Sequence, residues 1–301
     1  MVKGVLELAS KFMEDPYYVT IDEASVNAYC NDIRKEINKE PYFIGEPKIA
    51  LQGDELQRIK QIVIYELMAS SVNYKYWYGK YDVRPYDSCA NKMYEMLDSA
   101  FDHIVTTEMT LKTGKYISDA CATFQRNLTH ERFPMIRERT EHLKEVVWNG
   151  DMFANEVAGC IKENRPSLSY LLELLIVHFP GFSEDMFLKR AFLFFMMLYR
   201  RMGWFADEIH ELPIPADYQI PKILNAEGCL KYHYDLKDML SRQEILSKGS
   251  RIECEIRAAS IIACQKIATE CGVSMCKVDD YLWLKRKEYD MPFHLTVTTD
   301  Y

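Results

Sequence analysis

Residues 179–196 read Phe-Pro-Gly-Phe-Ser-Glu-Asp-Met-Phe-Leu-Lys-Arg-Ala-Phe-Leu-Phe-Phe-Met, and this stretch decides the fold of the chain. Its Pro180-Gly181 pair predicts a tight turn, because these two residues are the strongest interrupters of regular backbone structure. An apolar helix ending at His178 is predicted before the turn, and a helix carrying Lys189 is predicted after it. Two helices joined in this way are typical of a helix-hairpin-helix element.

Apolar residues recur with helical spacing over most of the remaining chain. The predicted helices cover residues 56–69, 91–105, 135–147, 168–178, 187–201 and 251–271. Two short strands are predicted at residues 17–21 and 72–77, where β-branched and aromatic residues are frequent. We therefore expect a mainly α fold with a few short β-strands.

The chain contains no repeat of fixed period and no low-complexity tract, so we expect residues 1–301 to form a single unit. A weak boundary is predicted at residues 123–133, where polar residues interrupt the apolar periodicity and Pro134 is placed to begin the next helix. This boundary would divide the unit into a mixed helical subdomain with the strands, residues 1–125, and a subdomain with the hairpin, residues 126–301.

Charge and composition indicate a globular protein that binds a small molecule. The 301 residues are 48% hydrophobic and 27% charged, and the net charge is −8. Because affinity for duplex nucleic acid depends on neutralising phosphates with Lys and Arg, this charge argues against a duplex as partner. The sequence leaves the oligomeric state open.

Neither a secretory signal nor a membrane span is predicted. The first residues reach Lys3 and Glu7 too soon for an apolar signal stretch, and the most apolar run, residues 191–199, is much shorter than the roughly 20 residues of a spanning helix. Nine cysteines without a Cys-x-x-Cys pair indicate reduced thiols, so we expect a cytoplasmic protein. The spacing of Cys271 and Cys276 lacks a second ligand pair, so we expect no metal site.

A second distinctive stretch is the proline-rich loop at residues 212–221, Leu-Pro-Ile-Pro-Ala-Asp-Tyr-Gln-Ile-Pro, which leads into a helix predicted at residues 223–230. Asp217 would lie near the start of that helix, whose dipole and backbone amides favour an ionised carboxylate. Such a carboxylate is able to stabilise the positive charge that develops on ribose when a C–N glycosidic bond breaks, or to orient the attacking water. A simple N-cap role for Asp217 and a solvated Lys189 fit the pattern too, and the pattern alone does not decide.

The hairpin, the Lys189 helix and the aspartate in a proline-flanked loop together resemble the helix-hairpin-helix DNA glycosylase superfamily. More specifically, residues 216–224, Ala-Asp-Tyr-Gln-Ile-Pro-Lys-Ile-Leu, resemble the queuosine salvage protein family. Further segments that resemble this family follow its order along the chain: Asn73-Tyr74-Lys75-Tyr76-Trp77, residues 134–145, Leu188-Lys189-Arg190-Ala191, Glu253-Cys254-Glu255-Ile256-Arg257, Asp280-Tyr281-Leu282-Trp283, Pro292-Phe293-His294 and Tyr301.

Members of this family are queuosine 5'-phosphate N-glycosidases. The resemblance implies hydrolysis of the N-glycosidic bond of queuosine 5'-phosphate, or of a related 7-deazaguanine nucleotide or nucleoside, with release of the free base and without a cofactor. Asp217 and Lys189 are the implied catalytic residues, with Lys189 near the phosphate, and Glu255 and Arg257 are expected as partners behind the site. The candidate substrate contacts are Tyr76, Trp77, Tyr218, His294 and Tyr301.

Alternatives to this interpretation remain open. The aromatic candidates fit core packing as well as base stacking, and His294 fits a structural role. Pro215, Gln219 and Leu295 depart from the family pattern, and the last two replace arginines that offer bidentate contacts, so the substrate is predicted to differ from the family's. A DNA or RNA base glycosylase and a non-catalytic protein that binds modified bases are the competing functions.

Overall fold

The computed structural model describes residues 2–39, 42–78, 89–105, 114–163, 165 and 167–301, and these form thirteen α-helices and four short strands. The predicted mainly α fold is confirmed. The helices are α1 (Val2–Phe12), α2 (Glu23–Ile37), α3 (Glu55–Ser71), α4 (Cys89–Val105), α5 (Gly114–His130), α6 (Ile136–Glu163), α7 (Leu168–His178), α8 (Pro180–Ser183), α9 (Lys189–Met202), α10 (Gln219–Ala226), α11 (Tyr234–Ser241), α12 (Arg251–Cys271) and α13 (Met275–Lys285). The strands are β1 (Val19–Ile21), β2 (Leu230–Tyr232), β3 (Ile245–Leu246) and β4 (Leu295–Thr296).

The strands form two small ladders that join distant parts of the chain. β1 pairs antiparallel with β2, and β3 pairs in parallel with β4. The strand predicted at residues 17–21 is confirmed in β1, whereas the strand predicted at residues 72–77 is wrong. α3 extends to Ser71, and the backbone that follows it is irregular. Its carbonyl oxygens accept hydrogen bonds from buried side chains instead of from a neighbouring strand: Arg139 donates to the carbonyl oxygens of Val72 and Tyr74.

Two predicted boundaries also differ from the structure. The helix predicted at residues 223–230 begins at Gln219 and ends at Ala226, because Pro221 falls in the first turn of α10, where a backbone N–H is not needed. α5 continues to His130 through most of the expected interruption at residues 123–133, and the break before α6 lies at residues 131–135.

The turn at Pro180-Gly181, between α7 and α9, depends on glycine at position 181. Pro180 is the first residue of the short helix α8, between α7 and α9. A Cβ atom added to Gly181 would lie 2.8 Å from the ring of His142 on α6, and the Gly181 amide donates to Glu145 Oε2 at 3.2 Å. Only glycine therefore lets α6 approach this turn. The helix-hairpin-helix assignment itself stays a prediction.

A single large apolar cluster extends from Val5 on α1 to Leu282 on α13. Within it α3 packs against α6 and α9, and α12 packs against α1 and α2. Among the described residues, no helix is both long and apolar enough to cross a membrane. These contacts place α9 and α12 at the centre of the molecule.

A buried ion pair between Asp185 and Arg257 joins α12 to the start of α9. Two guanidinium nitrogens donate to the two carboxylate oxygens at 2.8 and 2.7 Å, and both side chains are at most 2% exposed. Asp185 also accepts from the backbone amide of Lys189 at 2.8 Å, and Arg257 Nε donates to the Ala216 carbonyl at 3.1 Å. The pair therefore fixes the first residue of α9 and the loop that carries Asp217.

We predict that Arg257→Met destabilises the protein by about 3–5 kcal/mol, because Asp185 would remain buried without its partner. Arg58→Met is the control, since Arg58 also lies on a helix, α3, and pairs with Glu46, but both of these side chains are about half exposed. The free energy of unfolding of this control variant should fall by no more than about 1 kcal/mol. Urea unfolding of the three proteins measures both values, and equal losses for the two variants would contradict the prediction.

Candidate active site

A cavity of about 230 Å³ opens between α9, α13 and the loop that carries Asp217. The polar side chains that line it belong to three aspartates, two arginines, a lysine and an asparagine, and the remainder are aromatic or aliphatic. The described lining residues are Tyr42, Ile44, Asn73, Tyr94, Lys189, Leu193, Met197, Arg200, Arg201, Pro215, Asp217, Asp279, Asp280, Trp283 and Leu284.

One face of α9 supplies a third of this lining. Lys189, Leu193, Met197, Arg200 and Arg201 follow the helical repeat, which returns to the same face every three to four residues. The phenylalanines between them are buried in the apolar core. α9 therefore separates the core from the cavity, with its charged residues at the two ends of the exposed face.

Lys189 is the buried cation of the cavity. Its Nζ donates to the carbonyl oxygen of Asn73 at 2.9 Å and to the side-chain oxygen of the same residue at 2.8 Å. Burial lowers the pKa of Lys189 to about 8, and the nearby carboxylate of Asp217 opposes that shift. The ammonium group is therefore held in place and lies within the electrostatic range of Asp217.

Asp217 lies just before Tyr218, the N-cap residue of α10, and it both binds the first backbone amides of this helix and lines the cavity. Its Oδ1 accepts from the backbone amides of Gln219 at 2.7 Å and Ile220 at 3.2 Å. In the described part of the chain no hydrogen bond reaches Oδ2, and the partly exposed carboxylate lines the cavity. The capping role and the chemical role are therefore compatible, because they use different oxygen atoms.

Two further carboxylates lie on α13 beside Arg200. Its guanidinium group contacts Asp279 at 2.6 Å and also pairs with Asp280, and all three side chains are largely buried. Burial raises the pKa of Asp280 to about 6 and also raises the pKa of Asp279, although Arg200 opposes both shifts. Arg201 pairs in a similar way with the buried Glu66 of α3. The cavity thus combines fixed charges of both signs.

The aromatic residues predicted to contact substrate form a packed layer behind Asp217. Trp77, Tyr218 and Tyr301 are buried together around Leu295, and the Tyr218 hydroxyl accepts from the Tyr76 amide at 3.3 Å. None of these aromatic residues is among the described lining residues of the cavity. Their role as substrate contacts stays a prediction.

His294 belongs to the same layer. Its Nε2 lies 3.1 Å from the Tyr301 hydroxyl, and burial together with the charge of Arg257 lowers the pKa of His294 to about 3. The imidazole is therefore neutral at physiological pH and is packed against Tyr301. The guanidinium group of Arg257 lies over the ring of Tyr301, 4.3 Å from its centroid.

The two residues expected behind the site have different neighbours. Arg257 contacts Asp185 and Ala216 and so supports both Lys189 and Asp217. Glu255 is fully buried, accepts from the backbone amides of residues 17–19 and pairs with Arg251, which fixes the start of β1. Among the described residues, no cluster of three or more His, Cys, Asp or Glu side chains is arranged to hold a metal ion.

The sequence profile described as queuosine salvage protein matches residues 54–301. The chain belongs to the queuosine salvage protein family.

Three relatives carry the name queuosine 5'-phosphate N-glycosylase/hydrolase. The Schizosaccharomyces pombe protein is 29% identical over 181 residues, which cover 54% of this chain and 51% of that protein. The Dictyostelium discoideum protein is 29% identical over 193 residues, 56% of this chain and 59% of that protein. The Bos taurus protein is 24% identical over 277 residues, 78% of this chain and 80% of that protein. The matches to the first two proteins thus span only about half to three fifths of their length.

Pro215, Gln219 and Leu295 are the positions at which the sequence is expected to depart from the family pattern, and of these only Pro215 is among the described residues that line the cavity. It lies two residues before Asp217. Gln219 lies on α10 and Leu295 in the layer with Trp77 and Tyr218, and both are buried outside the described lining. If the substrate differs from that of other family members, Pro215 is the one of these three residues that is placed to contact it, since it lines the cavity close to the carboxylate of Asp217.

Five polar lining residues were not singled out as site residues from the sequence: Asn73, Arg200, Arg201, Asp279 and Asp280. The helical repeat from Lys189 points to the two arginines, and the family-like segments contain Asn73 and Asp280. Asp279 carried no such signal. Only the packing of α13 against the other walls of the cavity brings its carboxylate to the site.

We predict that Asp217→Asn lowers the pKa of Lys189 further, because the carboxylate that stabilises its ammonium form would be lost. Titration of the lysine side chains by heteronuclear NMR measures this pKa. Asp54→Asn is the control, since Asp54 likewise caps a helix, α3, but is not among the described lining residues. An unchanged pKa of Lys189 in Asp217→Asn would show that the two groups do not interact.

Proposed function

We propose that this protein hydrolyses the N-glycosidic bond of queuosine 5'-phosphate, or of a related 7-deazaguanine nucleotide or nucleoside, and releases the free base for salvage. The observation that carries this proposal is the shared cavity of Asp217 and Lys189, in which a carboxylate oxygen without a hydrogen bond from the described residues lies within range of a buried ammonium group. The names of the relatives support the same reaction.

In the proposed reaction, the bond between C1' of ribose and the base nitrogen breaks, and water adds to C1'. Positive charge develops on the ribose before the water oxygen bonds, so a fixed carboxylate lowers the energy of that state. Asp217 takes this role, because it lines the cavity and its Oδ1 is held by the α10 amides, while Oδ2 accepts no hydrogen bond from the described residues. One proton of the water leaves as the new C–O bond forms, and the departing base nitrogen gains a proton.

Lys189 is proposed to hold the phosphate of the substrate. Its Nζ is fixed by two bonds to Asn73, and a pKa of about 8 leaves most of the amine protonated at neutral pH. An ammonium group that is already positioned in a partly desolvated cavity attracts an anion more strongly than one in water. The third ammonium proton remains available for such a contact.

For Tyr76, Trp77, Tyr218, His294 and Tyr301 we propose contact with the substrate from the layer behind Asp217. Tyr218 follows Asp217 directly in the chain, and its ring stacks on Phe293 at a centroid distance of 4.8 Å. A layer of this kind supplies a rigid aromatic surface, which suits a flat base. Access to that surface would require movement of side chains at the cavity wall.

The proposed partner is a small modified nucleotide rather than a duplex, in the cytosol and without a cofactor. A net charge of −8 opposes binding to a polyanion, whereas the ammonium group of Lys189 inside the cavity contacts only the neutral oxygens of Asn73 and is able to attract a single phosphate. Eight of the nine cysteines are described, and all eight are buried free thiols, which supports a reducing compartment.

We predict that Asp217→Asn reduces turnover by about 100-fold or more, because the amide keeps the shape and the cap but loses the charge. Chromatography measures the release of free base from queuosine 5'-phosphate. Asp54→Asn, which changes a helix cap outside the cavity, should retain wild-type turnover. Turnover near the wild-type level in Asp217→Asn would remove Asp217 from the mechanism.

The same assay separates the competing functions when queuosine, ordinary purine nucleotides and a duplex with a modified base are added to the substrate panel. Release of base from the nucleotide supports the proposal. Release from the duplex alone would indicate a nucleic-acid glycosylase. Binding of the base without any release would indicate a non-catalytic base-binding protein.

We predict that Lys189→Ala weakens use of queuosine 5'-phosphate about tenfold more than use of queuosine, since a charge-assisted contact contributes roughly 1.5–3 kcal/mol. The ratio of kcat/KM for the two substrates isolates the phosphate. Lys266→Ala is the control, because Lys266 pairs with Glu23 at the surface and is not among the described lining residues of the cavity. Equal losses for both substrates in Lys189→Ala would assign Lys189 to the reacting centre instead.

A further inference from the structure

The extended segment at residues 42–45 forms one wall of the cavity. Tyr42 and Ile44 line the cavity, whereas Phe43 between them packs against Tyr199 with a centroid distance of 5.8 Å. This alternation is expected of an extended backbone, in which successive side chains point to opposite sides. The segment lies outside residues 54–301, the part that matches the family profile.

Two hydrogen bonds attach this segment to the end of α9. The amide of Ile44 donates to the carbonyl oxygen of Arg200 at 2.9 Å, and Arg201 Nη1 donates to the carbonyl oxygen of Gly45 at 2.9 Å. The Arg200 carbonyl belongs to the last turn of α9, where helical partners are missing, so the segment satisfies an otherwise unpaired group. Both anchoring residues line the cavity themselves, which sets the position of Tyr42 against the polar lining.

The ring of Tyr42 is placed to cover a ligand. Its side chain lines the cavity although the residue is 42% exposed, and Tyr94 and the 38% exposed Trp283 contribute further aromatic lining. Aromatic faces that border a small cavity bind planar bases by stacking. We propose, on the basis of the proposed function, that Tyr42 contacts the planar base of the substrate and contributes to its binding.

The test compares Tyr42→Ala with Tyr42→Phe in base release from queuosine 5'-phosphate. Loss of the ring should raise KM about tenfold and change kcat by less than about twofold, because stacking acts on binding rather than on bond cleavage. Tyr42→Phe should restore the wild-type KM, since it keeps the aromatic face. Tyr170→Ala is the control: Tyr170 is similarly exposed, at 45%, but lies on α7 and does not line the cavity.

A second measurement separates this inference from the proposed hydrolysis. Calorimetry with free queuine reports base binding without turnover, and Tyr42→Ala should bind the base about tenfold more weakly than wild type, with Tyr42→Phe unchanged. If wild type binds queuine in this ring-dependent way but releases no base from any substrate, the hydrolysis fails and the role of Tyr42 stands. Equal queuine affinity and equal KM in Tyr42→Ala and wild type, or no binding by wild type, would overturn the inference.

Discussion

The buried ion pair of Asp185 and Arg257 is the interaction on which the site depends. Burying two charges costs free energy that only close pairing and further hydrogen bonds offset. Both partners have such bonds: Asp185 accepts from two backbone amides at the start of α9, and Arg257 donates to the carbonyl of Ala216. One pair therefore sets the relation between the helix that carries Lys189 and the loop that carries Asp217.

A second constraint is the unusual concentration of buried cations around residues 71–77. The side chains of Lys75, Arg139, Lys189 and Arg190 all donate to backbone carbonyl oxygens in this stretch. The negative ends of these carbonyl dipoles stabilise the buried cations without cancelling their charge. Of the four, Lys189 lines the cavity, where its ammonium group is able to attract an anionic ligand.

The same constraint explains where sequence reasoning succeeded and where it failed. Helical periodicity predicted α3, α4, α7, α9, α12 and the first half of α6, because each places an apolar face against the core, but it did not predict α1, α2, α5, α11 or α13. The aromatic and β-branched residues at 72–77 are typical of a strand. The carbonyl oxygens of this segment, however, accept hydrogen bonds from an arginine of α6 and a lysine of α9 rather than from another strand. Asp217 and Lys189, which line the cavity, were predicted as site residues through the resemblance, whereas Asp279 and Tyr42 reach the cavity only through tertiary packing, which no local pattern encodes.

In the proposed reaction, Asp217 combines a structural role with a chemical one. A helix cap needs an immobile acceptor oxygen and a stabiliser of positive charge needs a negative one, and a single fixed carboxylate is able to supply both. The two α10 amides that bind Oδ1 fix the side chain before any ligand arrives, so no reorganisation is needed when charge develops near Oδ2. The cap does not compete with the proposed reaction, because it is the source of the preorganisation on which that reaction depends.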